Sequence, residues 1–242
     1  MDSTKITKPA RKGLNLKLKY CGAVIVAAGN ASRMGGTDKI MADLCGEPVI
    51  KRTVRAFQEC DAIREIVIVT REDLLTAVAD ACAGFAKVTA VVVGGKDRCE
   101  SVNNGLNALS KKVKVAAIHD GARPLIDWQT IDRAVRAGST YGAAAPAVPV
   151  KDTIKIVAGG IVKETPDRSG LQAVQTPQVF DFDLIRGALV KAKEDEITLT
   201  DDCSAVEHMG MSVKIVKGEE RNIKITTPMD LVIAKALLEE SK

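Results

Sequence analysis

Five apolar, β-branched runs separated by stretches of helical period organise the first 150 residues, and that rhythm restricts the chain to a mostly parallel sheet with helices on both faces. Residues 23–28 read as a buried strand, and residues 48–60 as a helix with Val49, Ile50, Val54 and Phe57 on one face. Strands at 65–70, 88–93, 113–119 and 143–150 alternate with helices at 73–83, 101–110 and 128–137. At Lys151 the rhythm breaks, because residues 153–164 alternate around Gly159-Gly160, the turn chemistry of a β-hairpin. An isolated hairpin is marginal in water, so this arm, about 151–172, is expected to protrude and pack on a second copy of the chain. Beyond it come a strand at 173–180, helices at 183–192 and 201–209, and strands at 213–216 and 222–225. Thr227 and Pro228 then open a closing helix that runs to Leu238.

Apolar residues at 46% and charged residues at 27% supply a full core for one domain, read as 21–242. The net charge is +4, yet the stretch 1–20 holds Lys5, Lys8, Arg11, Lys12, Lys17 and Lys19 against Asp2, so the basic surplus sits in an N-terminal extension rather than on the body. A nucleic-acid binder would carry its footprint on the folded surface, and none is expected here. Apolar runs fall short of the roughly 18 residues of a membrane span, and no apolar core marks the basic stretch as a signal peptide. A cytoplasmic protein is expected. Six scattered cysteines without a C-x-x-C pair, and only His119 and His208, signal neither a zinc site nor a disulfide framework.

In an open α/β sheet, ligands bind beyond the carboxyl ends of the strands. The loop after the first strand, 29–39, is built of small residues with Arg33 and Lys39 among them. Small residues let backbone N–H groups approach a polyphosphate, and the two cations can neutralise it. The loop is neither a Walker A sequence nor G-x-G-x-x-G, since Ala31 stands at the second glycine. On chemistry alone, a plain βα connection with solvated charges remains an equal reading. Asp181-x-Asp183 is read as a helix N-cap rather than a metal site. His119 is read as structural, because a residue next to Asp120 in a strand points to the other face.

The run Ala27-Ala28-Gly29-x-x-x-Arg33-Met34-Gly35, followed by Lys39 and Leu44-x-Gly46-x-Pro48, resembles the opening of sugar nucleotidyltransferases. Further motifs follow in order: Gly94-Gly95-x-x-Arg98-x-x-Ser101, His119-Asp120-Gly121-Ala122-Arg123-Pro124, Val150-Lys151-Asp152-Thr153-Ile154-Lys155 and Asp167-Arg168-Ser169-Gly170-Leu171. They continue with Gln175-Thr176-Pro177-Gln178, Thr200-Asp201-Asp202-x-Ser204-Ala205-Val206-Glu207 and Asn222-Ile223-Lys224-Ile225-Thr226. Together they resemble the methylerythritol-phosphate cytidylyltransferase family, IspD/TarI, over roughly residues 21–238.

The resemblance implies a Rossmann-like nucleotidyltransferase fold, a homodimer joined through the arm, and transfer from CTP to a polyol phosphate with Mg²⁺. By carry-over, Arg33, Lys39 and Lys224 are the catalytic candidates. Ala27, Ala28, Gly29, Gly95, Lys96, Ser101, Asp120 and Gly121 would hold the nucleotide, with Asp120 also the metal ligand. Arg123, Thr153, Arg168, Thr176 and Thr200 would meet the acceptor, with Thr153 and Arg168 reaching the partner's site from the arm. Ala31 and Lys96 depart from the family pattern, at positions that act largely through backbone. Two other readings stand at this point: a ribitol 5-phosphate cytidylyltransferase, and a nucleotide-binding module without activity, which would be expected to have lost Arg33, Lys39 or Lys224.

Overall fold

The computed structural model describes residues 18–29 and 38–240. Five strands, β1 (Cys21–Ala27), β2 (Ile63–Thr70), β3 (Val88–Val93), β4 (Val115–Asp120) and β5 (Ala143–Pro149), alternate with helices α1 (Val49–Glu59), α2 (Leu75–Cys82), α3 (Arg98–Ala108) and α4 (Trp128–Tyr141). After β5 come the short strands β6 (Ile156–Ala158), β7 (Ile161–Glu164), β8 (Gln172–Val174) and β9 (Gln178–Asp181). The chain closes with α5 (Phe182–Glu194), α6 (Asp202–His208), β10 (Lys214–Lys217) and α7 (Pro228–Glu239). The main sheet runs β10-β5-β9-β4-β1-β2-β3, with β8 also on β5. β1 pairs in parallel with both β2 and β4, whereas β9 lies antiparallel between β4 and β5.

The central strands β1, β2 and β4 are mostly apolar because both of their faces are buried. In β1, Ala23, Ile25 and Ala27 join one core with Val54 and Phe57 of α1 and Ile131 and Val135 of α4. Val24, between them, joins the opposite core with Val102 and Leu106 of α3 and Ile185 of α5. Each Val, Leu, Ile or Phe among them contributes on the order of 1.5–3 kcal/mol by leaving water. Local chemistry sets the helix starts: Asp97, Asp127, Asp181, Asp201 and Thr227 each accept a backbone N–H from the first turn of their helix. The expected capping role of Asp181 is thus found.

Three expected elements are corrected. The helix read at 101–110 begins at Arg98, because Asp97 accepts the Glu100 N–H and Ser101 turns its hydroxyl back to the Asp97 carbonyl. The strand read at 173–180 is two strands, β8 and β9, since Pro177 has no N–H for a ladder; both lie on β5, and β9 adds β4 as a second neighbour. Residues 222–225 form no strand: Asn222 Nδ2 donates instead to the Thr176 carbonyl, and Ile225 N–H reaches the single carbonyl of Ala122.

β6 and β7 form the expected hairpin as a separate two-stranded sheet. Gly159 and Gly160 have φ of +58° and +75°, the left-handed pair a two-residue turn requires. Ile156, Val157, Ile161 and Val162 on this arm are all exposed. Of the basic extension, residues 1–17 lie outside the described residues; Tyr20 already packs on the body, its carbonyl accepting the Lys114 and Val115 N–H groups. All six cysteines are free, and burial pushes the Cys82 thiol up to about 11. Among the described residues no helix is long and apolar enough to cross a membrane.

Candidate active site

At the carboxyl ends of β1 to β4 the chain encloses a cavity of about 490 Å³. Nine of the expected residues line it: Ala27, Ala28, Gly29, Lys39, Gly95, Lys96, Ser101, Asp120 and Lys224. Arg33 lies outside the described residues. Gly121 sits directly behind the wall, where a Cβ would lie 3.0 Å from Cβ of Ala27.

The third strand leads into the tightest part of this wall. Ser101 Oγ accepts the Gly95 N–H at 3.0 Å and donates to the Asp97 carbonyl at 2.8 Å, so one hydroxyl ties the loop to the first turn of α3. A Cβ on Gly94 would lie 2.4 Å from Cβ of Ala28 and 2.9 Å from Ser101 Oγ, so only glycine lets the two loops approach this closely. Lys96 uses its backbone here, donating N–H to Glu100 at 3.1 Å.

Asp120 ends β4 and is buried. Its Oδ1 takes Arg98 Nη1 at 2.8 Å, and its Oδ2 takes Lys224 Nζ at 2.8 Å, with Arg123 Nε at 3.6 Å. Burial by itself pushes this carboxyl up, but Arg98 and Lys224, with Arg123, outweigh it and hold the group below the usual carboxylate range. His119 points to the other face, its ring centroid 4.8 Å from that of Phe57, and burial lowers it to about 3. The Arg123 carbonyl can only accept, so the neutral ring carries its proton on Nε2, 3.4 Å away. Nδ1 then accepts the Thr176 hydroxyl at 2.9 Å, and Thr176 Oγ1 in turn accepts the Asp120 N–H at 3.1 Å.

Lys224 reaches the cavity because Asn222 is locked in place. The Asn222 amide donates to Gln175 Oε1 at 3.2 Å and to the Thr176 carbonyl at 3.0 Å, and its own carbonyl accepts Arg123 Nη1 at 2.7 Å. Gln178, from the same segment, caps α6: its Oε1 accepts the N–H groups of Asp202 and Cys203 at 2.9 and 3.0 Å.

Arg123 and Thr176, expected at the acceptor, therefore make bonds that hold Asp120 and Lys224 in place, and neither lines the cavity. Thr153, Arg168 and Thr200 are exposed and do not line it either; Arg168 donates to the Lys151 carbonyl at the base of the arm at 2.6 Å. Two cationic groups in the wall escaped the sequence reading. Arg98 bridges Asp120 and the buried Asp202, at 2.8 and 2.7 Å. Arg71, at the end of β2, pairs with Asp38 at 2.7 Å, and Asp38 accepts the Ile40 N–H at 2.8 Å, fixing the turn that carries Lys39. Arg98 and Asp202 stood in the quoted motifs, but nothing in their spacing pairs them.

The donor set suits one kind of metal. Among the described residues no cluster of three or more His, Cys, Asp or Glu could cage an ion by itself. A single buried carboxylate ringed by cations suits Mg²⁺ arriving with phosphates, which needs only one or two protein carboxylates. Lys39, Arg71, Lys96, Arg98 and Lys224 line the cavity against Glu72, Asp97 and Asp120, an excess of cations that suits an anionic ligand.

The family model for IspD, 2-C-methyl-D-erythritol 4-phosphate cytidylyltransferase, matches residues 21–240. The 2-C-methyl-D-erythritol 4-phosphate cytidylyltransferase of Caldanaerobacter subterraneus subsp. tengcongensis is 44% identical over 221 residues, covering 89% of this chain and 97% of that protein. Its namesake in Dehalococcoides mccartyi is 45% identical over 224 residues, 91% and 97% of the two chains. The crystal structure of 4-diphosphocytidyl-2C-methyl-D-erythritol synthase from Anaerococcus prevotii superposes with a TM-score of 0.83 at 32% identity, covering 91% of this chain and 96% of that one.

Proposed function

Because this chain belongs to the IspD family of 2-C-methyl-D-erythritol 4-phosphate cytidylyltransferases, we propose how its residues divide the work of that transfer. The enzyme joins the cytidylyl group of CTP to 2-C-methyl-D-erythritol 4-phosphate, giving 4-diphosphocytidyl-2-C-methyl-D-erythritol and pyrophosphate in the non-mevalonate isoprenoid pathway. The observation that carries this reading is the convergence of Lys39, Asp120 and Lys224 on one cavity at the carboxyl edge of the sheet.

The chemistry needs no general base, since a phosphate monoester has its second pKa near about 6 and attacks as an anion. What remains is to bring two anions together and to stabilise charge on the α-phosphate and the departing pyrophosphate. Lys39, held by the Asp38 turn, serves the triphosphate together with the backbone of residues 27–29. Lys224 approaches the α-phosphate from the Asn222 side. The loop tied by Ser101 reads the cytosine edge through backbone groups, where a purine would leave donors unpaired or clash. Asp120 is the residue to hold Mg²⁺, which when bound neutralises phosphate charge. Oδ2 of Asp120 is shared with the ammonium of Lys224, so a cation held there would meet the charge of Lys224.

Thr153 and Arg168 stand away from the cavity of their own chain, on an arm whose exposed Ile156, Val157, Ile161 and Val162 suit burial against a second copy. The arm of one protomer thus completes the acceptor side of its partner, with Thr200 on the body, and the dimer works in the cytoplasm. Pyrophosphate release with Mg²⁺ and CTP tests the whole reading, with methylerythritol phosphate and ribitol 5-phosphate as parallel acceptors. Turnover with methylerythritol phosphate alone is expected; turnover with ribitol 5-phosphate moves the protein to the related branch, and silence with both removes the activity.

A further inference from the structure

We propose that Arg98 is a positioning residue for the transfer: it clamps Asp120 at the cavity wall, is itself anchored by Asp202, and so fixes the carboxylate that faces Lys224. This rests on the reading of Asp120 as part of the nucleotide and metal side. The guanidinium is a planar fork, and its two ends go to different carboxylates, Nη1 to Asp120 Oδ1 at 2.8 Å and Nη2 to Asp202 Oδ2 at 2.7 Å. A carboxylate turned by this clamp has only its other oxygen left for the cavity, and that oxygen meets Lys224 at 2.8 Å.

The anchor is not free to drift. Asp202 opens α6, and its N–H is held by Gln178 Oε1 at 2.9 Å. Gln178 is the register partner of Ile118 on β4, the strand that ends at Asp120. Arg98, Asp202, Gln178 and β4 therefore close a ring in which each member sets the position of the next. Arg98 is also the first residue of α3, directly after the loop of Gly95 and Lys96, so the same clamp ties that loop to Asp120.

Stability alone gives little reason for this arrangement. Two buried carboxylates share one guanidinium, whose buried Nε makes no hydrogen bond. An unpaired buried donor is costly, and well-packed apolar residues often replace a buried ion cluster without loss. A lysine at this place would offer one mobile point charge in place of a planar fork whose two ends are fixed on separate carboxylates.

The test uses the full-length chain and four variants, Arg98→Lys, Arg98→Ala, Asp202→Asn and Asp120→Asn. Three quantities are read well below each Tm: the affinity for Mn²⁺ with CTP by calorimetry, kcat, and KM for each substrate. Arg98→Lys is expected to weaken nucleotide binding about 10-fold and to lower kcat/KM for CTP about 100-fold, an effect comparable to losing one oriented electrostatic group, with KM for the acceptor near wild type. The near-isosteric Asp202→Asn should move the same quantities in the same direction by a smaller factor. Guanidinium ion should restore part of the activity of Arg98→Ala, and ammonium ion should not. Wild-type affinity and kcat/KM in Arg98→Lys, with only a lower Tm, would reduce Arg98 to a structural residue while Asp120→Asn still binds weakly. Wild-type affinity in Asp120→Asn would instead remove Asp120 from the nucleotide side and the premise with it. Should Arg98→Ala fail to fold, Arg98→Lys and Asp202→Asn decide the matter.

Discussion

The Lys224 ammonium rests 2.8 Å from Oδ2 of Asp120, so a flexible cation from the end of the chain is parked on a carboxylate from its middle. A lysine at the cavity rim, 41% exposed, would otherwise sample many rotamers, and the pairing holds it against the cavity wall.

Removing that ammonium has two separable effects. Lys224→Met should lower kcat by about 10²–10³, as loss of one preorganised cation does. The same variant frees Oδ2 of Asp120, so Mn²⁺ titrated without nucleotide should bind several-fold more tightly than to wild type. Unchanged Mn²⁺ affinity would show that Lys224 does not compete for that oxygen.

Lys39 lines the same cavity, on a turn fixed by Asp38 and Arg71. Lys39→Ala should cut kcat by about 10²–10³ with a smaller change in CTP affinity, because charge on the phosphates grows toward the transition state. Full kcat in that variant would take Lys39 out of the mechanism.

Gly94 leaves no room for a methyl group, with Ala28 Cβ at 2.4 Å and Ser101 Oγ at 2.9 Å from the position of a Cβ. Gly94→Ala should therefore push the two nucleotide loops apart and weaken CTP binding more than 10-fold, the strain of such overpacking being typically about 1–3 kcal/mol. Calorimetry with CTP checks it; wild-type affinity would mean that the loop yields without consequence.

Thr153 and Arg168 lie at the arm, away from the cavity of their own chain. Their alanine variants should lose binding of the acceptor while CTP binding stays near wild type. Loss of both affinities together would place these residues elsewhere.

His119 couples stability to pH. Its folded value is about 3 against an ordinary 6.5, so between those limits the unfolded chain takes up a proton that the folded chain refuses. Stability is thus at its full value above pH 6.5 and falls as the pH is lowered toward 3, with a slope of up to about 1.4 kcal/mol per pH unit. Urea melts at pH 7 and pH 5 should show this loss, and His119→Gln should flatten it.

Much of the architecture is legible along the chain because its causes are local. Alternating apolar runs and helical stretches identify the parallel sheet, Gly159-Gly160 mark the hairpin, and Asp181, Thr227 and Pro228 mark helix starts. Residues 173–180 and 222–225 have strand-like composition, yet Pro177 interrupts the ladder of the first, and the second is held by the bonds of Asn222 to Gln175 and Thr176. A backbone whose neighbours are set by such distant contacts has no local pattern to read.

The site divides along the same line. Lys39, Gly95, Ser101, Asp120 and Lys224 were reached through the resemblance of their motifs to a known family, and the fold brings all five to one cavity. The ion pairs Arg98–Asp202 and Arg71–Asp38 could not be reached that way, because a charged residue destined for a buried pair has the same letters as one bound for water. Sequence alone determined most helices and strands of the main sheet and the hairpin arm, through periodicity, capping and turn chemistry that act within a few residues. Which cation faces which carboxylate was decided only by the tertiary fold, because desolvation and Coulomb energy depend on what the folded chain brings within about 3 Å, not on order along it.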